Sequence, residues 1–414
     1  MEKTATIVPN DVGPTGITYG GWTGPIVMLI ATLVSYIDRQ ALAVLAPTIL
    51  KDTGLNAGDF GAIVLSFSVA YMVANPVWGS ILDFVGLRMG LAIAVAIWTI
   101  SSASHALVTG FAGFVVARVV LGIGEGAVFP GCMKMSADCL PPSQQSRGTA
   151  LGYSGAAAGS LITPLIVIPF AQYFGWRMAF GVTGALGVAW LIGWYFVCKP
   201  PKVPVKPRKL TKVSLPRLND PRVWLVISTY GMGAIGLGVG IYMMPLYLNR
   251  AAGVSQKDLQ YITWIPYVAY WIGYYVWGWV SDKIVGDNPR PVGLLLLLSA
   301  MALPCAFMGR FHTWPILVVF FSWMLFVADG FILMGLHVGA RVFPKDQSGM
   351  AAGIGGGSWG IVVGVANWIY GHWIDQKIYE PIFVTMSLVP LIGTLLFIVV
   401  SRPWAKGRVA PAVV

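Results

Sequence analysis

The sequence predicts an all-α membrane protein with twelve spanning helices, and three of its features indicate this class. The 414-residue chain is 57% hydrophobic and only 10% charged, whereas soluble domains carry about 25% charged residues. It contains twelve long apolar runs, and its two halves share a loop pattern. A chain with so few charges cannot cover a water-exposed globule of this size, so lipid must cover much of its surface.

The apolar runs have the length that spanning helices require. A helix needs about 20 mostly apolar residues to cross the hydrocarbon core of a bilayer. The chain also has 50 glycines and 17 tryptophans, which is typical of spanning helices and membrane interfaces. The predicted spans are residues 22–47, 60–82, 89–108, 111–134, 148–171, 178–197, 223–248, 258–280, 292–309, 314–340, 349–374 and 381–401.

The longest polar interruption divides these spans six and six. It covers residues 199–222, holds eight Lys or Arg and is rich in proline, a composition typical of an extended, solvated linker. We therefore expect an N-terminal six-helix half over residues 1–198, a basic cytoplasmic linker over 199–222, and a C-terminal six-helix half over 223–414.

The net charge of +11 does not indicate a nucleic-acid partner, because the excess lies mainly in short loops between apolar runs. An even number of spans places both termini on one side. If that side is cytoplasmic, the cytoplasmic segments hold 19 Lys and Arg and the opposite side holds six. The positive-inside rule then predicts cytoplasmic termini. The short loops favour a bacterial inner (plasma) membrane, and we expect a monomer.

Internal repeats support the division into halves. After the second span the chain reads GxxxD from Gly79 to Asp83, followed by Gly86; after the eighth it reads GxxxD from Gly278 to Asp282, followed by Gly286. A second pair of related loops precedes the fifth and eleventh spans, at residues 140–148 and 343–349. Repeated halves of this kind are typical of transporters that bind substrate between the halves, near the bilayer midplane.

The sequence shows no residue pattern that is typical of an enzyme active site or a metal site. The four cysteines, Cys132, Cys139, Cys198 and Cys305, lie in or beside apolar runs without a CxxC spacing, so they are expected to pack as small apolar side chains. The sequence contains no HExxH pattern and no phosphate-binding GxxxxGK[ST] loop. We expect a protein that is not an enzyme and has no cofactor or metal.

Three motifs give the chain a family resemblance. They are the GxxxDxxGxR loop from Gly79 to Arg88, the stretch Tyr36-Ile37-Asp38-Arg39-Gln40 in the first span, and the stretch from Arg118 to Gly126 in the fourth. The chain resembles the major facilitator superfamily and, within it, the anion:cation symporter family, which includes hexuronate, galactonate and glucarate transporters. The resemblance implies two pseudo-symmetric six-helix halves and proton symport of a small organic anion by alternating access.

Some positions differ from the family pattern. Phe84 stands where the loop motif usually has a basic residue, and Ala156 stands where sugar-acid carriers often have a polar side chain. In the tenth span Ala328-Asp329 replaces the His-Gln pair of hexuronate carriers. The family resemblance implies a sugar acid, such as a hexuronate or an aldonate, as the substrate. Because of these differences, it does not specify one compound.

Five charged residues fall within predicted spans: Asp38, Arg39, Arg118, Glu125 and Asp329. Each costs about 2.5–3.5 kcal/mol at the bilayer centre on insertion scales, so each needs a partner or a function. Arg118 and Glu125 are seven residues apart and share one face of a helix. The glycines at 122, 124 and 126 permit close approach of a neighbouring helix.

The family resemblance implies roles for four of these charges. Arg39, with Tyr36, is expected to bind the substrate carboxylate. Asp38 is expected to pair with Arg118 and to couple protonation to the conformational change, and Glu125 is expected to be the main proton acceptor. The alternative is a static, purely structural set of buried ion pairs.

Other residues complete the predicted site. Further substrate contacts are expected from Asn367, Tyr242 and Trp359, and gating roles from Asp83, Arg88 and Asp282. Asp329, His337 and His372 lie in spans and could be either functional or packing residues. His105 and His312 fall near predicted outer loops, where solvated side chains are expected.

Alternative functions remain open at the level of sequence. The chain could take up a different monocarboxylate or dicarboxylate, with Na⁺ as the coupling ion. It could also be a transporter-like sensor that does not transport. The expected partners are a small organic anion, protons and the lipid bilayer.

Overall fold

The structure is a computed structural model that describes residues 20–141, 144–199, 218–344 and 348–405. Within these ranges the regular elements are helices without strands. Nine helices there are long and apolar enough to cross a membrane, or ten if one bent pair forms a single span. The predicted linker is described only at its two ends, and the repeated loops at 140–148 and 343–349 lie partly outside the described residues.

The first six predicted spans are all helical. They are formed by α1 (Thr23–Val44), α3 (Ala57–Val85), α4 (Leu87–Ser104), α5 (Phe111–Glu125) with α6 (Val128–Cys139), α7 (Gln145–Phe174) and α8 (Trp176–Val197), while the short α2 (Ala46–Thr53) follows α1. The fourth span is interrupted at Gly126 and Ala127, directly after Glu125. Its two helices together pass as one span, Phe111–Cys139.

The last six predicted spans are also helical, with more interruptions. The seventh and eighth spans are formed by α9 (Pro221–Val226), a π-helical turn (Ile227–Gly231), α10 (Ile235–Tyr242), α11 (Met244–Ala252), α12 (Gln256–Ile262), α13 (Trp264–Val280) and a second π-helical turn (Ser281–Val285). The last four spans are formed by α14 (Val292–Ala302) with a 3₁₀ segment (Leu303–Arg310), α15 (Trp314–Val342), α16 (Ser348–Asp375) and α17 (Glu380–Val400), and the short α18 (Arg402–Ala405) follows.

The seventh span is bent by 43° between Gly231 and Ile235, which the sequence pattern did not predict. Glycine recurs at 231, 233, 236, 238 and 240, and glycine weakens a helix relative to alanine by about 1 kcal/mol per residue. Bulky neighbours occupy the space that side chains would fill here, since a Cβ at Gly236 would lie 2.8 Å from Met324 Cγ. Close packing against these neighbours therefore requires glycine in the seventh span. Because glycine weakens a helix, this part of the span bends.

The two halves repeat the same turns as well as the same motif. Helix α2 ends at Gly54 and α11 ends at Gly253, both with positive φ, near 70°. Two residues later, Asn56 and Ser255 cap the next helices by accepting hydrogen bonds from the backbone N–H groups of Asp59 and Asp258. The expected pseudo-symmetry is thus present in the capping chemistry, which fixes equivalent helix starts in both halves.

The halves meet where α3 begins and α16 ends. Asp375 accepts hydrogen bonds of 2.9 Å from the backbone N–H groups of both Ala57 and Gly58. These donors are at the N-terminus of α3, where a carboxylate is favoured. A Cβ at Gly61 would lie 2.6 Å from Trp368 Cα, so the two backbones nearly touch. At the same end Gln256 bonds to Thr48 and to the carbonyl of Val44.

This contact between halves predicts the effect of one added methyl group. Gly61→Ala should destabilise the protein by about 1–3 kcal/mol, because the new methyl group has no space between the two backbones. Gly79→Ala on the same helix is the matched control, since a Cβ there meets nothing within 4 Å. Thermal unfolding in detergent measures both. A Gly61→Ala variant as stable as Gly79→Ala would contradict the described contact.

Candidate functional site: a buried charge cluster

Four ionisable side chains from α1 and α5 converge in the interior of the protein. Asp38, Arg39, Arg118 and Glu125 are only 1%, 2%, 2% and 0% exposed. Three glycines let the fourth span pack closely against two other helices: Cβ atoms at Gly122, Gly124 and Gly126 would lie 2.7 Å from atoms of the neighbouring α3 and α4. The sequence pattern predicted both the convergence and the close helix approach.

The centre of the cluster is an ion pair between Arg39 and Glu125. The Arg39 Nε and Nη2 atoms donate to the same oxygen, Glu125 Oε2, at 3.1 and 2.8 Å. The other carboxylate oxygen, Oε1, has no hydrogen-bond partner among the described residues. The pair is therefore a forked contact to one oxygen, which leaves acceptor capacity unused on Glu125.

Aromatic rings surround the Arg39 guanidinium. Its central carbon lies 4.7 Å from the ring centre of Tyr36, 4.8 Å from that of Phe67 and 4.7 Å from that of Tyr71. Guanidinium–ring contacts of this kind contribute about 0.5–2 kcal/mol each. The rings thus offset part of the cost of burying the cation and fix its orientation.

Arg118 is the second buried guanidinium, and it is incompletely bonded. Its Nη1 donates to the backbone carbonyl of Arg39 at 3.2 Å. Its Nε and Nη2 have no partner in the described part of the chain. A buried guanidinium with unused donors is a strong site for an anion, because each missing bond leaves a desolvation cost that a carboxylate can remove.

Asp38 is bonded to a hydroxyl group rather than to either arginine. Its Oδ1 accepts from Ser102 Oγ at 2.7 Å, and Ser102 Oγ is 2.8 Å from Thr183 Oγ1. Its Oδ2 is buried without a described partner. The expected Asp38–Arg118 pair is not a direct ion pair in the described structure. The direct buried pair is Arg39–Glu125, while Asp38 is held by hydroxyl groups of α4 and α8 and remains an electrostatic neighbour of Arg118.

The tyrosine side chains of the second half approach the cluster. Tyr242 on α10 is buried and lies within electrostatic range of both Arg39 and Arg118. Tyr36 is an electrostatic neighbour of Tyr270 and Tyr274 on α13 and of Tyr230 in the first π-helical turn. The charge cluster of one half therefore faces a set of tyrosines from the other.

Two other predicted substrate contacts are engaged in helix packing. Trp359 donates its indole N–H to the carbonyl of Ala234 at 3.0 Å, which holds α16 against the start of α10. Asn367 is fully buried and donates to the carbonyl of Val363 one turn earlier at 2.8 Å. Its side-chain oxygen has no described partner, so Asn367 retains one unused acceptor at the contact between α3 and α16.

These features match one family of known proteins. The family model described as Major Facilitator Superfamily matches residues 28–255 and 227–411. The chain belongs to the Major Facilitator Superfamily. It is accordingly a multi-pass membrane transporter, and the fold expected from the motifs is confirmed.

Proteins similar to this major facilitator transporter are named as transporters of organic anions or sugars. The hexuronate transporter of Bacillus subtilis (strain 168) is 28% identical over 290 residues, covering 68% of this chain and 68% of that protein. The D-galactonate transporter of Escherichia coli O6:H1 is 24% identical and covers 90% and 94%. The solved structure of a D-xylose-proton symporter superposes with a TM-score of 0.71 at 17% identity, covering 90% and 96%.

The loop motifs of this transporter occupy equivalent positions with different partners. Asp83 forms an ion pair with Lys134 at the end of the fourth span. In the second half Asp282 is exposed, and the neighbouring Ser281 instead bonds to His337 Nδ1 of the tenth span at 2.9 Å. The backbone carbonyl of Arg88 accepts from the Trp194 indole at 3.0 Å. Each GxxxD motif is thus bonded to the second span after it, and Arg88 adds a bond to the sixth span.

One histidine differs from expectation. His105, expected to be solvated, is fully buried; its ring stacks on Phe180 at 5.0 Å, and its Nδ1 lies 2.8 Å from the carbonyl of Ser101. The 3₁₀ turn at His105–Leu107 continues α4, so the ring packs against α8 rather than facing water. His312 is exposed, as expected.

The buried ion pair predicts strongly non-additive stability effects. Glu125→Leu should destabilise the transporter by about 3–5 kcal/mol, because it leaves the Arg39 cation buried and unpaired. The double variant Arg39→Met with Glu125→Leu should recover most of that loss. Thermal unfolding of the two variants measures the difference.

The control for this experiment is the exposed pair between Arg177 and Asp52. Arg177→Met should change stability by about 1 kcal/mol or less, since exposed pairs contribute little. A double variant no more stable than Glu125→Leu alone would contradict the dominance of the Arg39–Glu125 pair.

Proposed function

We propose that this protein is a proton-coupled symporter of a monovalent sugar acid, such as a hexuronate or an aldonate, that works by alternating access. The observation that carries the proposal is the composition of the buried cluster: two arginines and two carboxylates with several unused hydrogen-bonding atoms. The names of the relatives support the substrate class, and a proton symporter shares the fold.

Charge balance explains why a proton and an anion would bind together. With all four groups ionised, the charges of Asp38, Arg39, Arg118 and Glu125 cancel. Protonation of either carboxylate gives the cluster a net charge of one positive unit. In a site of low dielectric constant, a net charge is expensive and favours binding of one counterion. The proton thus prepares the site for one monovalent anion.

Glu125 is the proposed proton acceptor because of its bonds to Arg39. A proton on Glu125 weakens the two charge-assisted bonds from Arg39, whose guanidinium then becomes available to a substrate carboxylate in bidentate geometry. Arg118 contributes the two donors that have no described partner. Asp38, held through Ser102 and Thr183, links the cluster to α4 and α8.

Hydroxyl groups around the arginines fit the remainder of a sugar acid. Tyr36 lies against Arg39, and Tyr242 of the second half is an electrostatic neighbour of the same guanidinium. Phenolic hydroxyls can both donate to and accept from sugar hydroxyls. A ligand held by α1 and α10 together would bind both halves, as a substrate that drives their relative movement must.

The orientation follows from charge. We place both termini in the cytoplasm of a cell whose inner membrane holds the protein, because Lys and Arg are enriched on that side. The α3–α16 contact, with Asp375 on the N-terminus of α3, then lies at the external face. The structure is accordingly closed toward the outside, and the Asp83–Lys134 and Ser281–His337 contacts lie at the cytoplasmic face, where we assign gating roles to Asp83, Arg88 and Asp282.

The proposal predicts the behaviour of Glu125→Gln in proteoliposomes. Wild-type protein should accumulate D-galacturonate when the lumen is more alkaline than the outside. Glu125→Gln should lose this accumulation by at least tenfold, while counterflow of labelled D-galacturonate persists, because exchange needs no net proton movement. Accumulation driven by a Na⁺ gradient alone would instead favour the Na⁺-coupled alternative.

A matched control for pH dependence is Asp52→Asn. Hydrogen bonds from Arg177 and Trp176 hold the pKa of Asp52, which lies outside the spans, below its usual value. Asp52 therefore stays ionised above its already acidic pKa and loses its pair only as the pH falls through that value. Its replacement should leave the pH profile of transport between pH 5.5 and 8, roughly the range of His titration, unchanged. An altered profile would contradict the assignment of coupling to Glu125.

The orientation predicts the labelling of added cysteines. Lys257 and Asp287 are exposed at opposite ends of the second half, and the four native cysteines are buried. In intact cells, an impermeant maleimide should label Lys257→Cys and spare Asp287→Cys, and permeabilised cells should show labelling of both. Selective labelling of Asp287→Cys in intact cells would show the reverse orientation.

A further inference from the structure

Asp329 is a buried carboxyl group that the charge cluster does not use. It lies in the middle of α15, is 0% exposed, and neither carboxyl oxygen has a hydrogen-bond partner among the described residues. No described Lys, Arg or His forms an ion pair with it. An ionised carboxylate in such a place would have an uncompensated cost of several kcal/mol, so the group is neutral and carries a proton in this conformation.

The ionisable groups nearest to Asp329 are tyrosines. Its electrostatic neighbours are Tyr270 and Tyr274 on α13 and Tyr230 in the first π-helical turn. On its own helix, His337 is bonded to Ser281 and Asn288, and Arg341 is bonded to Gly286 and paired with Asp287. None of these groups supplies a cation to the Asp329 carboxyl.

The carboxyl is held close to the backbone of α13. A Cβ at Gly273 would lie 2.8 Å from Asp329 Oδ2, so glycine at this position leaves the space that the carboxyl occupies. Any relative movement of α13 and α15 therefore changes the surroundings of Asp329 directly. The carboxyl therefore lies at the packed interface between α13 and α15.

Tyrosines link Asp329 to the charge cluster of the other half. Tyr274 and Tyr230 are partly exposed, and both are electrostatic neighbours of Tyr36. Tyr36 in turn lies 4.7 Å from the Arg39 guanidinium. Tyrosine side chains therefore lie between the two carboxyl sites, and the partly exposed Tyr230 and Tyr274 lie on the Asp329 side.

We propose that Asp329 is a second proton-binding site of the transporter, protonated in this externally closed conformation and deprotonated in a conformation that admits water to it. In that step the carboxyl O–H bond breaks, the proton passes to water, and Asp329 becomes ionised. The proposal rests on the proposed symport function and adds a proton from the C-terminal half to the one carried by Glu125.

Infrared spectroscopy tests the protonated state without transport. At neutral pH, the wild-type protein in detergent should show the C=O stretching band of a buried protonated carboxyl group, and this band should be absent in Asp329→Asn. The exposed Asp282→Asn is the matched control and should retain the band. If Asp329→Asn does not fold, Asp329→Glu must shift the band in frequency. A band that is unchanged in the Asp329 variant overturns the proposal.

Proton counting then tests whether the group takes part in coupling. The number of protons moved per D-galacturonate, measured from reversal potentials in proteoliposomes, should fall by one in Asp329→Asn while counterflow persists. An unchanged ratio overturns the proposal, because a permanently protonated group is not a coupling site. If wild-type protein does not transport D-galacturonate with protons, the symport function itself fails, whereas the infrared result still decides the protonation of Asp329.

Discussion

The ion pair between Arg39 and Glu125 determines much of the architecture around it. A guanidinium buried in the interior must have a counter-charge, and Glu125 supplies it through a single oxygen. Three aromatic rings hold the guanidinium in place, and glycines on the fourth span bring that helix close to α3, which carries two of these rings. Loss of either charge leaves the other without compensation.

Incomplete hydrogen bonding of these buried charges makes the cluster suitable for the proposed transport. A buried pair that is optimally bonded on all sides would be a static structural element. Here Glu125, Asp38 and Arg118 all retain atoms without described partners, so a proton and an anion have somewhere to bind. The second half presents tyrosines to this region, with Asp329 behind them, rather than a second set of arginines.

The sequence predicted the helical spans closely because their apolar runs are long. It also predicted the burial of Asp38, Arg39, Arg118 and Glu125, since charges in spans must be sheltered. It did not predict the correct ion pair. Asp38 and Arg39 are adjacent, so their side chains point about 100° apart on the helix, and helix rotation decides which one meets the fourth span. Only the structure shows that Arg39 faces Glu125 and that Asp38 faces Ser102.

Other features depend on contacts between distant segments and carry no local signal. The bond of Asp375 to the start of α3 joins residues more than 300 positions apart. The stacking of His105 on Phe180 depends on how α4 packs against α8. By contrast, the repeated GxxxD loops and the capping residues Asn56 and Ser255 are local, and their equivalence in the two halves can be found in the sequence.

The central claim is that anion binding and protonation occur together at the buried cluster. Calorimetry of D-galacturonate binding to the purified protein, in buffers of different ionisation enthalpy, tests it most directly. The account predicts a binding enthalpy that varies with the buffer in the direction of net proton uptake, and loss of that variation in Glu125→Gln. Binding of D-galacturonate with the same enthalpy in every buffer would contradict it.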